Sequence, residues 1–257
     1  EVLHRAEGLG QRALQGAGAV VHAAGALSGD EARMRRDTLD ATGALLAALP
    51  RVGRPRLVLV SSLAVYAAGR PGGRIDEASP LEPRPERRDA YARVKLAQEA
   101  QARAAAAGLW VLRPGALFGP GRLWNAHLGV RVGPVLLRTG AGPIPVSYVE
   151  HAALACVLAA EAPGGGTVNV VDDDLPDARR YLAALGAAGP RLAVPVPWRL
   201  LDALAWGGPR APGLLRRPSL RARMMPRAWP NDALRGRLGW APAWGFEAAM
   251  ARAMEGS

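Results

Sequence analysis

The chain has 257 residues, 49% hydrophobic and 21% charged, enough for one large domain or one and a half small ones and too apolar for disorder. Its apolar stretches are broken by Arg, Pro or Gly well before about 18 residues, so no stable membrane insertion is expected, and nothing resembles a signal peptide. A formal net charge of +11 would suit nucleic acid or an acidic membrane, but no nucleic-acid-binding motif accompanies it, and nucleic acid is not expected as a partner.

The charge has a compositional source, because Ala, Gly, Pro and Arg are over-used together. It is densest between Arg199 and Arg237. One cysteine cannot close an internal disulfide, which fits a reducing, cytoplasmic setting. Cys156 lies in an Ala/Leu/Val-rich stretch and reads as packing rather than as a nucleophile.

In chain order, helical spacing over residues 1–17 precedes a short apolar strand, Ala19-Val20-Val21, which runs into His22-Ala23-Ala24-Gly25. A helix follows over residues 30–49, closed by Pro50. Leu57 to Ser62 is the clearest strand. A Gly- and Pro-rich loop covers residues 67–88, and a helix covers about 89–107, with Gly108 as its stop. Trp110 to Arg113 is a further strand, ending in Pro114-Gly115. The segment 116–145 reads as loop-rich, 148–161 as helix and Thr167 to Val171 as a last strand. From residue 175 onward the tail reads as mostly helical. Apolar strands alternating with amphipathic helices predict βαβ units and a parallel sheet covered on both faces.

Lysine occurs once, at Lys95, against thirty-two arginines. A composition so biased would supply arginine wherever a positive charge alone mattered, whereas a compact ammonium is not replaced by a guanidinium. Tyr91 lies four residues earlier, on the same face of the predicted helix. This Tyr-x-x-x-Lys pair is the first candidate active site.

Four segments in order, Val21-His22-Ala23-Ala24, Val60-Ser61-Ser62-Leu63-Ala64-Val65-Tyr66, Tyr91-x-x-x-Lys95 and Leu112-Arg113-Pro114-Gly115-Ala116-Leu117-Phe118-Gly119-Pro120, resemble the extended short-chain dehydrogenase/reductase superfamily, its NAD-dependent epimerase/dehydratase group. The resemblance covers about residues 19–160. It implies an α/β, Rossmann-like, doubly wound parallel sheet, lacking its N-terminal strands here, with a smaller, mostly helical C-terminal substrate region. The division implied is 1–115 with 148–172 for the partial NAD(P)-binding domain, and 116–147 with 173–257 for the substrate region and tail.

The resemblance also implies the chemistry. Hydride transfer between a carbinol carbon and a nicotinamide requires a proton to move at the attached oxygen. Tyr91 would move it, its phenol lowered by Lys95, which would also hydrogen-bond the nicotinamide ribose. Ser62, at a strand's carboxyl end, would hold the substrate oxygen, with Ser61 as the structural alternative. Ala23, Ala24, Gly25, Ser61, Pro114 and Gly115 would border the cofactor, NAD or NADP. Tyr66 and Ala116 would border a small-molecule substrate, with Tyr66 equally readable as packing. A homodimer is compatible with this reading.

The glycine-rich phosphate loop is missing from its expected place. Gly8-Leu9-Gly10-Gln11-Arg12-Ala13 matches G-x-G-x-x-A only as text, since it follows helical spacing rather than a strand. By the match, Glu1 falls just before the fourth strand, so the expectation is a fragment lacking about 60 residues, with its activity left open. In the next helix, Thr38 stands where relatives often place an Asn. After Ser62 come Leu63 and Ala64, where 4,6-dehydratases carry Asp-Glu; apolar residues cannot do that acid/base work.

What remains is oxidoreduction of a carbinol or ketone, hydroxysteroid dehydrogenase-like or dihydroflavonol reductase-like, with a nucleotide-sugar 4-epimerase as the alternative. A non-catalytic dinucleotide-binding or interaction protein is the reading from another class. No metal is expected, because His4, His127 and His151 lack ligand spacing with one another or with Cys156. His22 reads as making local hydrogen bonds, and Asp172-Asp173-Asp174 as turn and helix-capping residues.

Overall fold

A computed structural model of the chain describes residues 14–26, 30–69, 72–138, 142–205 and 215–256. The expected helix over residues 1–17, the Gly8–Ala13 segment and His4 fall almost wholly outside the described residues; of that helix only Leu14 onward is described.

The main sheet has four parallel strands in the order β1 (Ala19–His22), β2 (Arg56–Val60), β3 (Trp110–Pro114) and β8 (Gly166–Val170). Side chains alternate across a strand, and these sequences supply apolar residues for both faces. Leu57, Leu59 and Val111 pack with Leu14, Leu45, Leu49 and Ala102 on one face. Val58, Trp110, Leu112, Val168 and Val170 pack with Ala155, Ala159, Leu234, Leu238 and Trp240 on the other. Among the described residues strand β1 is paired on one side only, to β2 from Ala19 opposite Arg56 through His22 opposite Leu59, and Val21 is 41% exposed.

The connection from β1 to β2 is α1 (Glu31–Arg35), a π-helical turn (Arg36–Asp40) and α2 (Ala41–Ala48). Asp30 caps its start by accepting the Arg33 N–H at 2.7 Å. Helix α3 (Ala90–Ala105) joins β2 to β3 and is capped by Asp89, which accepts the Ala92 N–H at 3.0 Å. Asp89 is itself held by the Ser219 hydroxyl at 2.7 Å. Ala92, Lys95, Gln98, Glu99 and Ala102 form the buried face of α3, and Gly108, at φ 66°, turns the chain back. Helix α4 (Val149–Glu161) leads into β8.

The segment 116–145 departs from the loop-rich expectation. It contains β4 (Ala116–Phe118), β5 (Gly129–Val132) and β6 (Val135–Arg138). Strand β4 pairs in parallel with β7 (Val146–Tyr148), while β5 pairs antiparallel with β6. These strands are three or four residues long and interrupted by Gly and Pro, so period-2 alternation is too brief to register in the sequence. The tail likewise contains a missed strand, β9 (Leu192–Pro195), parallel to β6. Among the described residues the rest of the tail carries the helices α5 (Ala178–Leu185), α6 (Trp198–Leu204), α7 (Arg217–Met224), α8 (Asp232–Leu238) and α9 (Phe246–Glu255).

A further core gathers Phe118, Tyr148, Tyr181 and Phe246 with Leu128, Leu136 and Met250. The three aspartates after β8 tie it to the sheet. Asp172 accepts the Tyr148 N–H at 3.0 Å, and Asp174 accepts the Phe246 N–H at 3.0 Å at the start of α9. Asp173 accepts from the Asn231 amide at 2.7 Å. These are long-range ties in place of the turn and helix-capping uses expected from the sequence, and the three also pair with His151, Arg235 and Arg180.

Candidate active site

Strand β2 ends at Val60, and the chain stays extended through Ser62 (φ −165°, ψ 150°) before a 3-10 turn over Leu63–Val65. The Ser62 hydroxyl oxygen accepts the Ala64 N–H at 3.1 Å, so its own proton points away from the turn. That hydroxyl lies close enough to the Tyr91 phenol to favour its ionised form. Arg88 clamps the two segments together, donating to Tyr66 O at 2.8 Å and Ala64 O at 3.0 Å from just before α3.

Lys95, one turn along α3 from Tyr91, is 4% exposed. Its Nζ donates to Val60 O and to Gln98 Oε1, each at 2.9 Å. The loop after β1 passes close by, and a Cβ at Gly25 would stand 3.3 Å from Nζ and 3.5 Å from Thr38 Oγ1. Glycine therefore keeps that approach open. Thr38 is fully buried, and its hydroxyl accepts the Ala26 N–H at 3.1 Å, fixing the loop. Ser62, Tyr91, Lys95, Ala23, Ala24 and Gly25 thus gather at the carboxyl ends of β1 and β2, where parallel sheets bind ligands.

Other expected residues have structural commitments. Ser61 gives its hydroxyl proton to Glu99 Oε1 at 2.5 Å and is 2% exposed, so its side chain does not face a cofactor. Tyr66, also 2% exposed, is packing rather than pocket wall. Its hydroxyl donates to Asn169 at 2.7 Å, and Arg113 stacks 4.6 Å over its ring. Pro114 is buried at the end of β3. Gly115 answers to a close backbone crossing, since a Cβ there would lie 2.0 Å from Pro145 O. Ala116, half-buried on β4, gives its N–H to Pro145 O at 2.6 Å.

Electrostatics corrects one expectation. Burial pushes the Tyr91 phenol above the usual tyrosine range, and the Ser62 hydroxyl and the Arg122 charge offset only part of this. Lys95 is not among the groups that lower it, and the lysine's ammonium is engaged by Val60 O and Gln98. Burial lowers Lys95 itself to about 8, against the opposing charge of Glu99. Cys156, partly buried beside Leu158 and Ala159, has its thiol pushed up to about 11 by burial, which suits packing and not nucleophilic attack.

His22 makes the local contact anticipated, with Nε2 2.8 Å from Thr42 Oγ1. Burial, and secondarily the Lys95 charge, lower it to about 4. Because the folded pKa lies below that of the unfolded chain, near ~6.5, the unfolded state takes up the proton first as pH falls. Stability contributed by neutral His22 is present above about pH 6.5 and is lost progressively towards pH 4. Urea unfolding across this window should show a lower midpoint in acid, and His22→Asn should flatten the part of the slope due to this residue.

Sequence reasoning missed Thr42, Gln98, Glu99 and Arg88. For Gln98 and Glu99 the signal was present, since two polar residues fall on the same helical face as Lys95, which had to be the buried face. Arg88 gave no signal in a chain with thirty-two arginines. Among the described residues no three His, Cys, Asp or Glu side chains are grouped to hold a metal ion, and no helix is long and apolar enough to cross a membrane.

The sequence pattern of the family described as NAD dependent epimerase/dehydratase matches residues 6–170. No curated protein matches the chain. Among solved structures, the Thermus thermophilus UDP-glucose 4-epimerase complex with NAD superposes with a TM-score of 0.67 at 21% identity, over 96% of this chain and 80% of that one. Bacillus cereus UDP-glucuronic acid 4-epimerase in complex with NAD gives 0.68 at 14% identity, over 96% and 76%. An NAD-dependent NDP-hexosamine 5,6-dehydratase of tunicamycin biosynthesis, TunA, gives 0.66 at 22%, over 96% and 79%. At these identities the likeness is one of fold.

Proposed function

Because the chain belongs to the NAD dependent epimerase/dehydratase family, we propose that it moves a hydride between NAD and a carbinol carbon of a small-molecule substrate, with Tyr91 as the acid/base. The observation that carries this reading is the convergence of Ser62 and the only lysine at the carboxyl end of β2, where Lys95 Nζ meets Val60 O at 2.9 Å, with Tyr91 one helical turn before that lysine.

The residues fit the ribose end of NAD. An ammonium has three N–H donors; Val60 O and Gln98 Oε1 take two, and a sugar hydroxyl suits a third. Glycine at 25 lets a ligand approach along the loop after β1. NAD, when bound, supplies the hydride acceptor and donor. In the oxidative direction Tyr91, as phenolate, takes the proton from the substrate hydroxyl. Ser62, already accepting from Ala64, donates its proton to the substrate oxygen and holds it beside the phenol. Lys95, one helical turn away, stabilises the phenolate by its charge while its third N–H meets the ribose hydroxyl. Burial works against the phenolate, so ligand binding and ionisation are coupled.

Leu63 and Ala64 follow Ser62, with Leu63 buried, and neither can supply the acid/base pair of a 4,6-dehydratase. Simple oxidation of a carbinol, of hydroxysteroid or dihydroflavonol type, therefore stands first. The 4-epimerases among the similar folds favour a second reading, epimerisation of a nucleotide sugar. One experiment separates these readings. Incubation with NAD and either an apolar secondary alcohol or a UDP-sugar is followed by nicotinamide absorbance and by product analysis. Accumulating NADH supports the first reading, and epimer without net NADH supports the second. NAD binding without either product points to a non-catalytic binding protein, and absence of NAD binding overturns the proposal.

A further inference from the structure

Lys95 is held by a side chain whose own orientation is dictated from outside the helix. Gln98 lies one turn on along α3, fully buried, with Oε1 2.9 Å from Lys95 Nζ. Its Nε2 donates to Thr42 Oγ1 at 3.0 Å and, more distantly, to Ala24 O at 3.4 Å. Thr42 has already given its single hydroxyl proton to Thr38 O at 2.6 Å. The Thr42 oxygen can therefore only accept, and it accepts from both Gln98 Nε2 and the His22 ring nitrogen. Lys95 can only donate. The amide of Gln98 thus has one satisfactory orientation, nitrogen towards α2 and oxygen towards the ammonium.

We propose that Gln98 is the positioning residue for Lys95: its amide, oriented by Thr42, holds the ammonium between the end of β2 and the loop after β1. This rests on the reading of Lys95 given above. Such a buried network is rigid, because breaking the Gln98 bond to Thr42 or to Lys95 strands a buried polar group. Its reach to Ala24 O couples the ammonium to the loop that a cofactor would approach. The other ionisable groups facing Lys95 are Glu99 on its own helix and His22 at the end of β1. Glu99 is already engaged by Arg113 of β3.

With a single lysine in the sequence, labelling lysine at Cε with a stable isotope gives one resonance, and its pH titration reads the Lys95 ammonium directly, without substrate. The parent midpoint is expected at about 8. Gln98→Met removes an acceptor from the charged form and should lower the midpoint by about one pH unit, while Gln98→Glu adds an anion and should raise it by about one. Thr42→Val, which leaves the amide unheld, should shift it in the same direction as Gln98→Met by less.

Opposite shifts for Met and Glu support the assignment. Unmoved midpoints, or shifts of the same sign for both, overturn it. If Gln98→Met fails to fold by circular dichroism, Gln98→Glu against Thr42→Val decides by the same signs. NAD titrated into the parent sample tests the functional reading separately. If NAD does not bind, that reading fails, while the midpoints still decide on Gln98.

Discussion

Replacing Tyr91 by Phe is expected to lower the rate of hydride transfer by about a hundred- to ten-thousand-fold, the range for loss of a positioned acid/base, while NAD affinity changes little. The substitution removes one oxygen and keeps the ring. That ring is partly buried on α3, and the hydroxyl is the group whose ionisation Ser62 favours. Packing should survive, because Asp89 still caps the helix and Ala92, Gln98 and Ala102 still bury its inner face. Lys95 keeps Val60 O and Gln98 as partners, so the groups assigned to the ribose stay in place. Turnover and NAD binding measured on the same preparation check this. A variant with near-parental turnover would remove Tyr91 from the chemistry and leave the binding reading.

The largest effect on stability is expected from Glu99→Leu, about 3–5 kcal/mol, the usual cost of leaving one member of a buried ion pair alone. Glu99 and Arg113 are among the least exposed charges of the fold, with side chains 2% and 4% exposed. Arg113 binds both carboxylate oxygens, Nε to Oε1 at 2.9 Å and Nη2 to Oε2 at 2.7 Å. Burial pushes the Glu99 carboxyl up, but Arg113, Ser61 and Arg103 together hold it below the ordinary range, so it stays ionised. Leucine would strand the guanidinium between the sheet and the Tyr66 ring.

The double variant Glu99→Leu/Arg113→Met should recover most of the loss, since removing both charges also removes their desolvation. Urea midpoints at constant m-value give the comparison. A single variant costing under about 1 kcal/mol would show that the pair is not a principal tie. The same pair bears on the site, for it engages Ser61 and leaves Ser62 to meet Tyr91.

The parallel sheet was legible because its strands are short, wholly apolar and separated by helices with clear stops. Leu57 to Val60 could not be a surface strand, and Gly108 could only end a helix. Ser62, Tyr91 and Lys95 were legible as a set because their order and spacing form a pattern and because lysine is rare here. Which serine faces the site was harder. Ser61 and Ser62 are adjacent and chemically alike, and their separation depends on Glu99, thirty-seven residues beyond Ser62.

The ionisation of Tyr91 was not legible either. Spacing puts Lys95 on the same helical face, but where the ammonium points is set by Val60 O and Gln98. The small strands β5, β6 and β9 were missed since what defines them is pairing between distant segments, Val135 with Leu192 for instance, and not local periodicity.

The solitary lysine, buried at the meeting of α3 and β2, also makes the chain its own reporter of opening. A lysine-specific protease has one bond to cut, after Lys95, and in the closed fold that bond lies within the hydrogen-bonded middle of a helix whose inner face is packed on the sheet. Cleavage therefore requires α3 to come away, so the rate of a single cut measures how often this helix leaves its seat. Acylating reagents meet the same condition, and any agent that modifies this chain at lysine must first dismantle the place where the lysine works.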